Sequence, residues 1–260
     1  MTALESPDSW KTPHREERVE GTHVLFWDLD AVVVATGSSG GIPTRTEVAG
    51  VDRFRSGSPG FRRFLSRALL RATLAAWTDR PPGGLVFTYG PHGKPHLEGG
   101  PAFNASHSGS YFVLAVRPSG QVGVDIEVVR PSSDLMAIAR RCFTHEEARE
   151  IGADPDTLVD SFFRTWVRKE ALVKAVGAGL SLPLQTFRVS SKPVPEGTNV
   201  LLESRLPARY GSGWTVVPIW STPDAQAALA WNELPSNEAQ CTVPDSTQAP
   251  VLESLGNCDP

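Results

Sequence analysis

VGVDIEVV, residues 122–129, sets Val122, Val124, Ile126 and Val128 in alternation with Asp125 and Glu127. A period of two belongs to a β-strand, whose successive side chains leave by opposite faces. The apolar residues therefore share one face, and the two carboxylates stand on the other, about 7 Å apart along the strand at twice the rise per residue. HVLFWDL at 23–29 is a second short run rich in β-branched and aromatic residues, again suited to a strand. Each run is followed downstream by a helical pattern. In 61–77 the stripe is Phe64, Leu65, Ala68, Leu69, Ala72 and Ala76; in 156–176 it is Val159, Phe162, Phe163, Trp166 and Val173. The correspondence between halves predicts an α+β fold of two similar lobes in a pseudo-two-fold arrangement. Each lobe is expected to be a small, mostly antiparallel sheet packed with helices, one over residues 21–120 and the other over 121–234. A cleft between lobes is a natural ligand site.

With 260 residues, 40% of them hydrophobic, the chain can bury a substantial core. Its formal charge of -4 supplies no global basic field, which argues against a nucleic-acid or membrane-surface binder. Cys142, Cys241 and Cys258 are scattered without metal-ligand spacing. The sequence has no apolar run long enough to span a bilayer, and its first residues lack the apolar stretch of a signal peptide. The expectation is a cytoplasmic monomer. Residues 1–20 and 235–260 are polar and read as disordered tails.

Paired oxygen donors such as Asp125 and Glu127 suit a hard cation like magnesium, which takes a few carboxylates, waters and substrate phosphates. Two solvated acids on a half-exposed strand are the plainer alternative. Glu170 weighs against it, because it falls on the stripe of Phe162, Phe163, Trp166 and Val173. A carboxylate there needs a metal or a cationic side chain. Lys174 follows at i+4, either as an ordinary helix ion pair or as a group aimed at a phosphate.

GVDIE at 123–127, followed by WVRKEALVK at 166–174, resembles the Sfp-type 4'-phosphopantetheinyl transferases. GKPHL at 93–97, FNASHSG at 103–109, FTHEEA at 143–148 and GLSLPLQTFRV at 179–189 extend the resemblance over roughly residues 20–232. It implies transfer of the phosphopantetheine arm of coenzyme A to a serine of an apo acyl or peptidyl carrier protein, with 3',5'-ADP as the leaving product. The implied magnesium ligands are Asp125, Glu127 and Glu170, with Lys174 on a phosphate oxygen. Ser106 and His107 would contact the nucleotide phosphates, and Lys94 with Pro95 would line the adenine and phosphate region. Glu170, directly or through a metal-bound water, and His107 are the two candidates for the base. The 3'-phosphate would meet basic residues of the first lobe, which offers Arg53, Arg55, Arg62, Arg63, Arg67 and Arg71. Arg53 and Arg63 are the expected contacts. Arg63, Arg67 and Arg71 also form a four-residue repeat that a solvated helix face would explain.

Two other readings compete. Asp28-Leu29-Asp30 after a strand looks like the nucleophile loop of a haloacid-dehalogenase phosphatase, which would require a doubly wound parallel sheet. A catalytically silent module binding coenzyme A or carrier proteins would be expected to have lost one of Asp125, Glu127, Glu170 and Lys174; all four are present.

Overall fold

In the computed structural model, which describes residues 13–31 and 59–233, eleven strands and four α-helices are arranged in layers. The first sheet contains β1 (Arg15–Val19), β2 (Thr22–Asp28), β5 (Ala102–Ser108) and β6 (Tyr111–Arg117), in the order β1-β2-β6-β5. The second contains β7 (Gln121–Val128), β10 (Thr215–Pro218) and β11 (Ala225–Asn232), in the order β10-β11-β7. Two small hairpins join β3 (Phe87–Tyr89) to β4 (Pro95–Leu97) and β8 (Phe187–Val189) to β9 (Leu201–Ser204). The helices are α1 (Pro59–Thr78), α2 (Leu135–Cys142), α3 (His145–Ile151) and α4 (Leu158–Val176).

Alternation along the strands builds the layers. Val24 and Phe26 of β2, with Val113 and Ala115 of β6, meet Val122, Val124 and Ile126 of β7 and Ala227, Leu229 and Trp231 of β11 in one apolar core between the sheets. The intervening residues, Leu25, Trp27, Leu114 and Val116, pack under Leu65, Leu69 and Leu74 of α1. On the far side, Val167, Ala171, Leu172 and Ala175 of α4 cover Val216, Ala228 and Ala230. The order is helix, sheet, sheet, helix, the α+β arrangement expected. Every paired strand among the described residues is antiparallel, so the parallel sheet of the phosphatase reading is absent from them. Asp28 ends β2, where its carboxylate accepts the Asp30 amide, and Asp30 accepts from Arg62 Nε at 2.8 Å and Nη2 at 2.6 Å.

Some local outcomes differ from the sequence pattern. Residues 15–19, read as part of a tail ending at 20, form β1, in full register with β2. Their charges suit the edge position that β1 holds among the described strands, and the intervening Glu20 and Gly21, both at positive φ, make the tight turn that such hairpins favour. On α1, Leu74 and Ala75 are buried whereas Ala76 is exposed. Arg71 is also buried, donating to the carbonyls of Pro82 and Leu85. It therefore leaves the solvated stripe. Arg53, Arg55 and both terminal tails beyond residues 13 and 233 lie outside the described residues.

α4 stops at Gly177, whose left-handed φ of 73° lets its amide close back on the Val173 carbonyl. α3 starts with a capping box, Thr144 accepting the Glu147 amide while Glu147 accepts the Thr144 amide.

Candidate active site

β7 and β5 are edge strands of different sheets, and they meet through side chains. Asn104 Oδ1 accepts the Val124 amide at 2.9 Å, and Ser108 Oγ accepts the Val128 amide at 3.1 Å. Between them Ser106 Oγ donates to Asp125 Oδ1 at 2.9 Å, and Ser108 Oγ donates to Glu127 Oε2 at 2.7 Å. The alternate residues 104, 106 and 108 thus stitch the free edge of β7 and hold its two carboxylates. α4 closes the cluster. Lys174 Nζ reaches Asp125 Oδ1 at 2.6 Å and Ser106 Oγ at 2.8 Å.

This helix can approach so closely because of Gly123. A Cβ there would stand 2.2 Å from both the Ala171 carbonyl oxygen and the Ala175 amide nitrogen. The glycine of the GVDIE motif is thereby explained by backbone contact and needs no special dihedral angle.

Charge in this seam is out of balance. Asp125 is 2% exposed, and its Oδ2 has no hydrogen-bond partner. Burial, reinforced by the Asp125 charge, pushes Glu170 up to about 7; burial and Asp125 likewise push Glu127 up to about 7, against the Ser108 hydrogen bond. Desolvation opposes the charge on Lys174, but Asp125, Glu170 and Glu127 outweigh it and raise its pKa. The Lys174 ammonium serves all three carboxylates, and Arg130 adds a weaker attraction on Glu127. Among the described residues no three His, Cys, Asp or Glu side chains converge as metal ligands do, and the Lys174 ammonium is what stands against Asp125. The donor set nonetheless fits a hard divalent cation: an orphaned buried carboxylate oxygen beside two carboxyl groups whose ionisation lacks compensating charge.

His107 points the other way from Ser106, as alternation requires. It joins Arg63, Ser66 and Arg67 of α1, with Ala105, Ser106 and Phe112, around a cavity of about 110 Å³. Desolvation, then the charges of Lys174 and Arg63, lower the pKa of this imidazole despite its overall exposure. Arg63 and Ser106 are thus brought together with His107, and Arg67, not singled out from sequence, joins them. Lys94 is placed elsewhere. Its half-buried side chain donates to the carbonyls of Val122 at 2.9 Å and Ala175 at 2.6 Å, tying the β3–β4 hairpin to β7 and to the end of α4. These bonds take two of the three donors of its ammonium. Burial, without a carboxylate partner, lowers its pKa to about 7. Pro95 heads β4 opposite Tyr89. Asn104 and Ser108 were missed as parts of the cluster, although strand alternation through FNASHSG puts them on the face of Ser106.

A two-lobed α+β protein with a buried carboxylate and lysine cluster on its seam is the class that fold and site define. Residues 121–230, which carry that cluster's carboxylates and lysine, match the model of the 4'-phosphopantetheinyl transferase superfamily. It is 37% identical over 139 residues to the 4'-phosphopantetheinyl transferase HetI of Nostoc, covering 51% of this chain and 58% of that protein. To the 4'-phosphopantetheinyl transferase Sfp of Bacillus subtilis it is 34% identical over 140 residues, 53% and 61% of the two chains. A Xenopus laevis L-aminoadipate-semialdehyde dehydrogenase-phosphopantetheinyl transferase is 34% identical over 142 residues, 49% and 47%. The matches span about half to three fifths of the curated relatives' length. No helix among the described residues is long and apolar enough to cross a membrane.

Proposed function

We propose that this protein transfers the 4'-phosphopantetheine group of coenzyme A to a serine hydroxyl of apo acyl or peptidyl carrier proteins, releasing 3',5'-ADP. The observation that carries the reading is the seam itself. Asp125, Glu127, Glu170 and Lys174 gather in one partly buried cluster, and Ser106 joins it to the Arg63, Arg67 and His107 cavity. A site for a polyanionic substrate needs this combination: carboxylates for a metal, an ammonium for a phosphate oxygen, and guanidinium groups for a further phosphate.

Asp125, Glu127 and Glu170 would hold a magnesium ion, which supplies positive charge against the pyrophosphate oxygens when bound. The chain's own groups do the rest. Lys174 exchanges Asp125 for a phosphate oxygen and stabilises the charge that grows there as the phosphoanhydride bond breaks. Glu170 is the first candidate to accept the serine proton. His107, whose imidazole is held neutral by its surroundings, is the second candidate. Arg63 and Arg67 orient the nucleotide end from α1. A cytoplasmic monomer is part of this reading.

The test is incubation with coenzyme A, magnesium and a panel of apo carrier proteins, followed by intact-mass measurement. Mass gain by one phosphopantetheine on the carrier serine is expected. No gain on any carrier, with coenzyme A shown to bind, would leave only the silent binding module.

A further inference from the structure

The motif FTHEEA at 143–148 has no task in the reaction above, yet it contains a wholly buried charge. Glu147 and Lys169 both have 0% side-chain exposure, with Nζ and Oε2 2.8 Å apart. Lys169 directs its other donors to the carbonyls of Leu184 at 2.8 Å and Phe187 at 2.7 Å. Glu147 in turn accepts the Val189 amide at 2.8 Å on Oε1 and the Thr144 amide at 2.9 Å on Oε2. One ion pair therefore ties together the start of α3, the middle of α4, the turn at Leu184–Thr186 and strand β8. The rings of Phe187 and Phe143 wall it off, centred 4.4 and 5.7 Å from the ammonium.

Lys169 immediately precedes Glu170 in α4. Consecutive helix residues point about 100° apart, so a side chain fixed on the α3 side dictates where its neighbour faces. An apolar residue at 169 could be buried at several rotations of the helix. An ammonium whose three bonds go to a carboxylate and two carbonyls is satisfied at one. We infer that Lys169 and Glu147 are positioning residues: their buried pair sets the rotation of α4 that presents Glu170, and one turn later Lys174, to Asp125. Neither touches substrate. The inference rests on the reaction proposed above for its kinetic consequences, and on the structure alone for its mechanical ones.

The test compares Lys169→Met, Glu147→Gln and the double variant, in which the pair becomes neutral at nearly constant shape. Each single variant should lower kcat by about tenfold or more, as a displaced catalytic group does. It should also raise the magnesium concentration giving half-maximal rate, which mere loss of folded protein would not do. Coenzyme A affinity by calorimetry should stay near that of the parent. The double variant should regain stability, because replacing a buried pair by neutral groups is tolerated where breaking it is not, but it should stay slow with a raised magnesium requirement, since an apolar side chain at 169 is satisfied at several rotations. A stable double variant with the parental rate and magnesium requirement would overturn the inference, as would a Lys169→Met protein with the parental rate and magnesium requirement. So would a fall in coenzyme A affinity matching the fall in rate, which would put Lys169 on the substrate. If the parent transfers nothing, the reaction reading fails separately. Hydrogen exchange across 166–176 then decides: faster exchange in both Lys169→Met and the double variant supports the anchor, and unchanged exchange in Lys169→Met refutes it.

Discussion

Replacing Gly123 by alanine adds one methyl group at the point where β7 and α4 touch. The new Cβ would lie 2.2 Å from the Ala171 oxygen and the Ala175 nitrogen, and 2.7 Å from Ala175 Cα. These are helix backbone atoms, so no rotamer change relieves the clash. Restoring ordinary contact at 3.4 Å requires α4 to withdraw by about 1.2 Å. The segment that must move carries Glu170 and Lys174, and Lys174 Nζ now sits 2.6 Å from Asp125 Oδ1. A misplacement of that size costs on the order of 100-fold in rate. Overpacking a tight interface adds about 1–3 kcal/mol of strain, or a fall in Tm of very roughly 2–12 °C for a domain of this size. Steady-state transfer to an apo carrier protein measures the first effect and thermal melting the second. Ala171→Gly or Ala175→Gly, added to Gly123→Ala, should rescue neither, since the obstruction is backbone. A Gly123→Ala protein with the parental kcat and Tm would show that the packing argument is wrong.

Lys174→Ala should lower kcat by about 10²–10³-fold, the usual loss of one charge-stabilising donor, with an unchanged magnesium requirement. Asp125→Ala should instead be partly rescued by excess magnesium. Glu170→Gln keeps an oxygen donor but cannot take a proton; near-normal turnover in it would pass the role of base to His107. Burial raises Glu127 and Glu170 to about 7 in the folded state, above their unfolded values near 4.3. The folded protein therefore binds more protons across that window, and these groups withdraw stability, on the order of a few kcal/mol, as pH rises through it. Magnesium should accordingly raise Tm more at pH 8 than at pH 5, and Glu170→Gln should reduce the difference; equal shifts at both pH values in the parent would contradict the charge imbalance. Lys94→Met should lower stability by about 1–3 kcal/mol, by leaving the Val122 and Ala175 carbonyls without their donor. Its coenzyme A affinity should hold; weaker binding at unchanged Tm would return Lys94 to the nucleotide.

The features that sequence revealed are those encoded in local periodicity. Alternation in 122–129 placed Asp125 and Glu127 together opposite the valines, and the helical stripe through Phe162 and Trp166 isolated Glu170 as a carboxylate in the wrong surroundings. What alternation could not show is that β7 is covered on both faces, so that Asp125 is buried and not half-exposed. That depends on α4 arriving from almost fifty residues downstream. Lys94 is illegible for the same reason: its two acceptors, Val122 and Ala175, are distant in sequence, and nothing near GKPHL distinguishes an ammonium bonded to main-chain carbonyls from one aimed at a ligand. Arg71 shows the limit of a charge pattern, since the four-residue repeat it completes predicts a shared solvated face, whereas tertiary contacts with the turn at 82–85 bury it. β1 was hidden because an edge strand has no need of an apolar face.

These misses and successes meet at the seam between the sheets. Had β5 and β7 paired as ordinary neighbours, the Val124 and Val128 amides would have met carbonyl oxygens at strand spacing. Here Asn104 and Ser108 side chains accept those amides. The substitution satisfies the edge of β7, as buried backbone groups require, while filling the join between the sheets with polar side chains in place of a ladder. Only in such a join can the outer face of a buried strand carry Asp125 and Glu127 with hydroxyl partners within reach. The same two-sheet construction that divides the fold into lobes therefore creates the polar seam, and α4, held close by Gly123 and set in rotation by Lys169 and Glu147, brings Glu170 and Lys174 to it. The site is a consequence of how the two sheets fail to merge.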